Sequence, residues 1–160
     1  MEAAPMKTCG PGEAVALAEL YRQVFSSYAF PIDQPGYLEQ MMRENTHYLA
    51  VYHQGAIVAA AALEVDVNSD NCEMTDFATM PQFRGKGLAG KLLRQLDKKA
   101  GDLRIKTAYT IARADSAAMN GVFHKTGYQY AGRLVNNTQI GGCIRNMNVW
   151  YKKLKPAASI

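Results

Sequence analysis

Cysteine is scarce in this chain and carries no pattern. Cys9, Cys72 and Cys143 are the only three among 160 residues, odd in number and far apart. The lack of any C-x-x-C spacing argues against a zinc site and a dithiol redox pair, and reduced thiols are the expectation. His47, His53 and His124 are equally scattered and show no metal-ligand spacing, so no metal is expected. Long hydrophobic runs are missing too: the longest, Ala56–Leu63, is far too short to span a bilayer. Met1–Pro11 has one lysine and no apolar segment, which speaks against a secretory signal. A cytoplasmic protein without membrane association is expected. Dense basic patches are lacking as well. The formal net charge is +4, yet only Lys98-Lys99 and Lys152-Lys153 are adjacent. Such scatter suits mild attraction of an anionic ligand better than a nucleic-acid footprint.

What is present is ordinary globular material with clear punctuation. Hydrophobic residues make up 48% and charged residues 20%, usual values for a soluble protein with one core. With no repeat, linker or low-complexity stretch, a single domain over residues 1–160 is expected. Pro11-Gly12-Glu13 opens a helix in which Ala16, Leu17, Leu20, Tyr21 and Val24 recur at helical spacing to about Phe25. Pro31 and Pro35 break the chain, and a second helix is expected over about Gly36–Arg43. Tyr48–Val51 and Ala56–Val67 flank Gln54-Gly55 as a hairpin. Asn68–Asn71 turns the chain into a third strand, Cys72–Met80. Helical spacing returns over Leu88–Ala100. Ile105–Ala112, Tyr128–Val135 and Met147–Leu154 look like strands, and Asp115–Lys125 like a helix. An antiparallel meander feeding a strand–helix–strand crossover predicts an α/β (α+β) mixed, mostly antiparallel sheet with helices on both faces.

The most informative segment is Gln82-Phe83-Arg84-Gly85-Lys86-Gly87, between the third strand and the helix after it. Two glycines allow a tight turn and close approach of backbone to ligand. The amides at the positive end of the following helix then form a cradle for a diphosphate. Gly85-Lys86-Gly87-Leu88-Ala89-Gly90 also spells G-x-G-x-x-G, the dinucleotide fingerprint. Its context argues otherwise, because a meander precedes the loop and only two helices remain from the loop onward, too few for a doubly wound sheet. A glycine-rich turn that binds nothing is the bland alternative.

The Gln-x-x-Gly-x-Gly loop, inside this element order, resembles the GNAT superfamily of acetyl-CoA-dependent N-acetyltransferases over about Glu13–Lys153. The resemblance implies that Arg84, Gly85, Lys86, Gly87, Leu88, Ala89 and Gly90 hold the cofactor pyrophosphate. It further implies that Phe77, Ala78 and Thr79, on a strand splayed from its neighbour, pair with the pantetheine arm. Phe123-His124-Lys125-Thr126-Gly127-Tyr128 is similar to the family's Tyr-x-Lys-x-Gly-Phe segment, and Ser116 stands where asparagine is common. Those three matches add Ser116, Phe123 and Lys125 to the implied cofactor contacts. Tyr28–Pro31, Glu73–Thr79, Asn136–Thr138 with Gly142, and Met147–Lys152 resemble β-lysine N6-acetyltransferases, which acetylate the side-chain amine of a small diamino acid. Those enzymes carry an added N-terminal segment.

Such a transfer needs alignment, a neutral amine and support for a developing oxyanion. A free alkylamine has a pKa of about 10.4, so a base must take its proton. The resemblance places Glu73 there, four residues before the pantetheine-pairing segment, with Asp76 as second base or ammonium-binding carboxylate. Strict alternation sets Glu73, Thr75 and Phe77 on one face and Met74, Asp76 and Ala78 on the other; a bulge would shift that phase. A backbone amide near Phe77 or Ala78 is the expected oxyanion donor. Phe123 replaces the tyrosine that often serves as general acid. Ser116 and Tyr128 are the other candidate hydroxyls, but each is better read structurally, Ser116 as a helix cap and Tyr128 as core packing, and no general acid is assigned. Tyr28, Asp33, Glu64, Asn136 and Asn137 are the acceptor-binding candidates. The expected partner is a small-molecule amine, with a homodimer as the assembly to test. Another amine acceptor (polyamine, small metabolite or protein lysine) and a non-catalytic acyl-CoA-binding module stay open.

Overall fold

The computed structural model describes residues 4–155. The described residues form one sheet of seven strands in the order β1-β2-β3-β4-β5-β7-β6. The strands are β1 (Met6–Thr8), β2 (Thr46–His53), β3 (Ala56–Asp66), β4 (Asn71–Thr79), β5 (Thr107–Arg113), β6 (Gln129–Ile140) and β7 (Cys143–Lys153). Every adjacent pair is antiparallel except β4–β5, whose connection carries helix α3 (Leu88–Asp102). Helices α1 (Ala14–Val24) and α2 (Pro35–Glu44) pack on one face of the sheet, and α3 with α4 (Ala117–Lys125) on the other. This is the mixed, mainly antiparallel α/β architecture expected.

Two cores meet at β3. Leu88, Leu92, Leu93 and Leu96 form one stripe of α3 and are buried against Ala59, Ala61, Leu63, Cys72 and Met74. Leu17, Leu20 and Tyr21 of α1 are buried on the opposite face with Ala60, Ala62 and Ala78. Ala59 to Ala62 are fully buried; methyl side chains on both faces of one strand let helices press on it from either side. Each buried leucine contributes about 1.5–3 kcal/mol relative to exposure, so α3 is held mainly by this stripe.

Several element bounds differ from expectation, three features most. β1 was not expected: it is three residues, mostly exposed, and exists through pairing with β2, Met6 opposite Val51. β6 runs on to Ile140 and β7 begins at Cys143, because Gly141 and Gly142 (φ 63° and 77°) form the two-residue hairpin turn. An irregularity between Leu134 and Thr138, with Asn136 at φ 48°, interrupts that ladder and obscures its alternation.

Candidate active site

β4 and β5 pair only over Asn71–Glu73 and Thr107–Tyr109. Beyond that they diverge, β4 staying with β3 and β5 with β7. The last tie is the Thr110 hydroxyl, which donates to the Met74 carbonyl at 2.7 Å. Beside the parting point β4 carries a bulge. Ala62 faces Thr75 and Ala60 faces Ala78, so Asp76 and Phe77 together oppose Ala61. Asp76 takes φ 54°, an uncommon conformation for a residue with a side chain, and the Tyr21 hydroxyl donates to its carbonyl at 2.9 Å.

The bulge corrects one expectation. Asp76 shares its surroundings with Thr75 and Tyr28 and is influenced by Glu64, the same face that Glu73 occupies. Its side chain is therefore not opposite Glu73, as strict alternation requires. Phe77 moves to the α3–α4 face, packing edge-on to Phe123 at 5.6 Å.

A cavity of about 570 Å³ fills the gap between the parted strands. Phe77, Ala78 and Thr79 form one wall and Thr110 to Arg113 the other; Gly85, Gly87, Leu88, Ala89 and Gly90 close one end, and Met119 and Phe123 come from α4 with Ser116 at its N-cap. Tyr28 and Asp76 lie on the α1–α2 side of the opening. Gly85 and Gly87 have φ 77° and 75°, and Gly87 is the N-cap of α3. A Cβ built on either glycine would meet nothing within 4 Å, so the loop faces open space. Helix geometry leaves the first-turn amides of α3 without intrahelical acceptors.

Three carboxylates gather on the α1–α2 face. Glu64 and Glu73 are register partners across β3–β4. Burial, then the charges of Glu64 and Asp76, push the Glu73 carboxyl up to about 7, partly offset by a hydrogen bond from Tyr109. Burial raises Asp76 to about 6 against hydrogen bonds from Tyr28 and Thr75; the Thr75 hydroxyl lies 3.3 Å from its carboxylate. Burial raises Glu64 as well. Buried like charges that titrate near neutrality are characteristic of sites that move protons or bind cations.

Of the remaining expected residues, Ser116 lines the cavity and caps α4 by accepting from the Met119 amide at 3.3 Å. Phe123 is buried between Phe77 and Tyr128. The Tyr128 hydroxyl donates to Asp97 at 2.6 Å and is spoken for in the core. Arg84 lines the cavity and donates to the Thr79 carbonyl at 3.3 Å, whereas Lys86 is exposed with its ammonium 5.3 Å from the Phe83 ring centroid. Lys125 is exposed at the end of α4, outside the cavity lining. Asp33 is half-buried in the α1–α2 connection. Asn136 borders a separate hollow of about 350 Å³ with Arg133 and Arg145, and Asn137 beside it is exposed; neither joins the carboxylates. Among the described residues no cluster of three or more His, Cys, Asp or Glu side chains could hold a metal, and no helix is long and apolar enough to cross a membrane. Tyr109 and Thr110 were not singled out by sequence, since their roles depend on the β4–β5 pairing.

These features define the α/β proteins whose central strands part beside a glycine-turned helix to admit an extended ligand. The chain belongs to the acetyltransferase (GNAT) family, whose sequence pattern matches residues 14–128. It is 41% identical over 147 residues to a β-lysine N(6)-acetyltransferase of Methanococcus maripaludis, an alignment covering 92% of this chain and 54% of that protein. It is 36% identical over 149 residues to the N-acetyltransferase YodP of Bacillus subtilis, covering 93% and 54%. The chain thus spans about half the length of the curated relatives it matches. An N-acetyltransferase structure from Staphylococcus aureus superposes with a TM-score of 0.82 at 19% identity, covering 96% of this chain and all of that one, and shares the fold.

Proposed function

We propose that this chain is a cytoplasmic acetyl-CoA-dependent N-acetyltransferase that acylates a primary amine of a small diamino acid, β-lysine, by direct attack in a ternary complex. The observation that carries the reading is the placement of Glu73, a half-buried carboxylate raised to about 7, on the last β4–β5 pair before the strands part. Identity of 41% to an enzyme named for that reaction supports the choice of acceptor.

The residues present fit acetyl-CoA. The open glycine loop suits its diphosphate, the amides of Phe77, Ala78 and Thr79 border the gap that would take the pantetheine arm, and about 570 Å³ is ample for it. When bound, acetyl-CoA supplies an activated acyl group as a thioester. The acceptor amine arrives as an ammonium, attracted by Glu64, Glu73 and Asp76. Glu73 takes its proton, directly or through water, and an amide near Phe77 or Ala78 supports the oxyanion. Phe77 and Phe123 keep water from the acyl end. A phenylalanine at 123 lends no proton to the leaving sulfur.

Release of free CoA with β-lysine, against α-lysine, spermidine and a lysine peptide, tests the reading. Turnover strongest with β-lysine is expected. Turnover only with another amine keeps the chemistry and removes the acceptor; silence on the whole panel favours a binding module. The cradle is tested separately with Gly87→Ala. No clash is introduced, but φ 75° is costly for a residue with a Cβ, about 1–2 kcal/mol. The variant should melt a few degrees lower, and calorimetric titration should show CoA binding weakened several-fold; unchanged affinity would move the diphosphate elsewhere.

A further inference from the structure

We propose that Tyr109 is a positioning residue for this reaction, its hydroxyl holding the Glu73 carboxylate in place at the point where β4 and β5 part. The inference rests on the reading of Glu73 as the base. Glu73 and Tyr109 are register partners on adjacent parallel strands, and theirs is the last pair before the gap. Partners in register place their side chains on one face as close neighbours, which sets the Tyr109 hydroxyl where it can donate to the carboxylate, and its influence there lowers the proton affinity of Glu73.

The need for such a donor follows from what else surrounds Glu73. Glu64 faces it from β3 and Asp76 from β4 itself, both raising its proton affinity, and burial adds to them. Tyr28, from the α1–α2 connection, is influenced by Asp76 and Thr75 and also by the Glu73 charge. Tyr109 is the group in this set that favours the ionised carboxylate. Its own hydroxyl is pushed up to about 12 by burial and by the charges of Glu73 and Glu64, so it stays protonated and can donate throughout the working range. Two effects follow. The carboxylate is kept from being pushed aside by Glu64 at the point where the strands part, and its titration is held near neutrality rather than above it.

The test is the pH dependence of kcat/KM for the acceptor, read by CoA release in the wild type, Tyr109→Phe and Glu73→Gln. Phenylalanine keeps the ring and its packing and removes only the hydroxyl. A hydrogen bond to a charged group is worth enough to move the acid limb upward by about one pH unit. At pH 7 kcat/KM should then fall about fivefold and recover by pH 9, with KM for acetyl-CoA within about twofold of the wild type. A carboxyl-carbon NMR titration of Glu73 in the free protein should move in the same direction without requiring turnover. A uniform loss at all pH values, or an unmoved Glu73 titration, overturns the role of Tyr109. Full activity in Glu73→Gln overturns instead the base reading on which it rests.

Discussion

Replacing Glu73 by glutamine is expected to remove most turnover and, at alkaline pH, to stabilise the fold. Loss of a general base costs about 10²–10⁴-fold in rate, while the diphosphate cradle, built from other residues, should bind CoA as before. The stability effect has the opposite sign. Folding raises the Glu73 carboxyl from 4.5 to about 7, chiefly by burial and then by Glu64 and Asp76. The folded state therefore holds a proton that the unfolded chain has given up. Below pH 4.5 the residue is protonated in both states and carries no penalty; as pH rises through 7 the fold must accept a buried charge beside two others. The rise is equivalent to about 3 kcal/mol at full ionisation, an upper figure because Glu64 shares the charge. Glutamine fills the same space with no charge. Thermal melts at pH 8 should place Glu73→Gln above the wild type, and the difference should close steadily toward pH 4. A variant that melts lower at pH 8 would mean that the carboxylate earns stability from contacts other than the Tyr109 hydrogen bond. A side chain that costs the fold at working pH, sits where the strands part and titrates near 7 is what an acid–base site looks like.

Much of this site was legible because its punctuation is local. The turn in Gln82–Gly87 needs glycine at two non-helical positions one residue apart, Gly85 and Gly87, and both take positive φ. The leucine stripe of α3 repeats at helical period, and its burial follows. Glu73 was singled out through family resemblance, and it lies on the last β4–β5 pair before the strands part. Other features were not local. The face occupied by Asp76 depends on a bulge opposite Ala61, and alternation alone puts it on the wrong side. Tyr109 matters only because a parallel crossover, some thirty residues long, brings it beside Glu73. Gly141-Gly142 is a different case: a two-glycine hairpin signal was present in the chain, but the uneven alternation around Asn136 drew the strand ends inward.

Asp97→Ala should be among the most destabilising single changes away from the cavity, and it should reach the cavity indirectly. Asp97, on α3, accepts from the Tyr128 hydroxyl at 2.6 Å through one oxygen and from the Lys152 ammonium at 2.9 Å through the other. Lys152, on β7, also donates to the Thr126 carbonyl at 2.8 Å and lies 5.6 Å from the Tyr128 ring centroid. Four segments are tied at one carboxylate: α3, the end of α4, the entry to β6, and β7. The Asp97 side chain is only 12% exposed, and burial with the Asp97 charge keeps the Tyr128 hydroxyl firmly protonated. Alanine leaves a buried hydroxyl without its acceptor and the lysine with a carbonyl alone, a loss of about 2–4 kcal/mol, below the figure for a fully sealed pair because Lys152 keeps some water. For a chain of this size each kcal/mol lowers the melting temperature by about 2–4 °C. Phe123 packs against Tyr128 at 5.1 Å and also lines the cavity, so loosening Tyr128 should raise KM for acetyl-CoA while leaving the acid limb of the pH profile in place. That signature is the reverse of the one expected for Tyr109→Phe. Adding Lys152→Met to Asp97→Ala should cost less than the two changes summed, because the second removes a charge that the first has stranded. Strict additivity would mean that the two side chains stabilise the fold independently, and that α4 is held to the sheet by its apolar face alone.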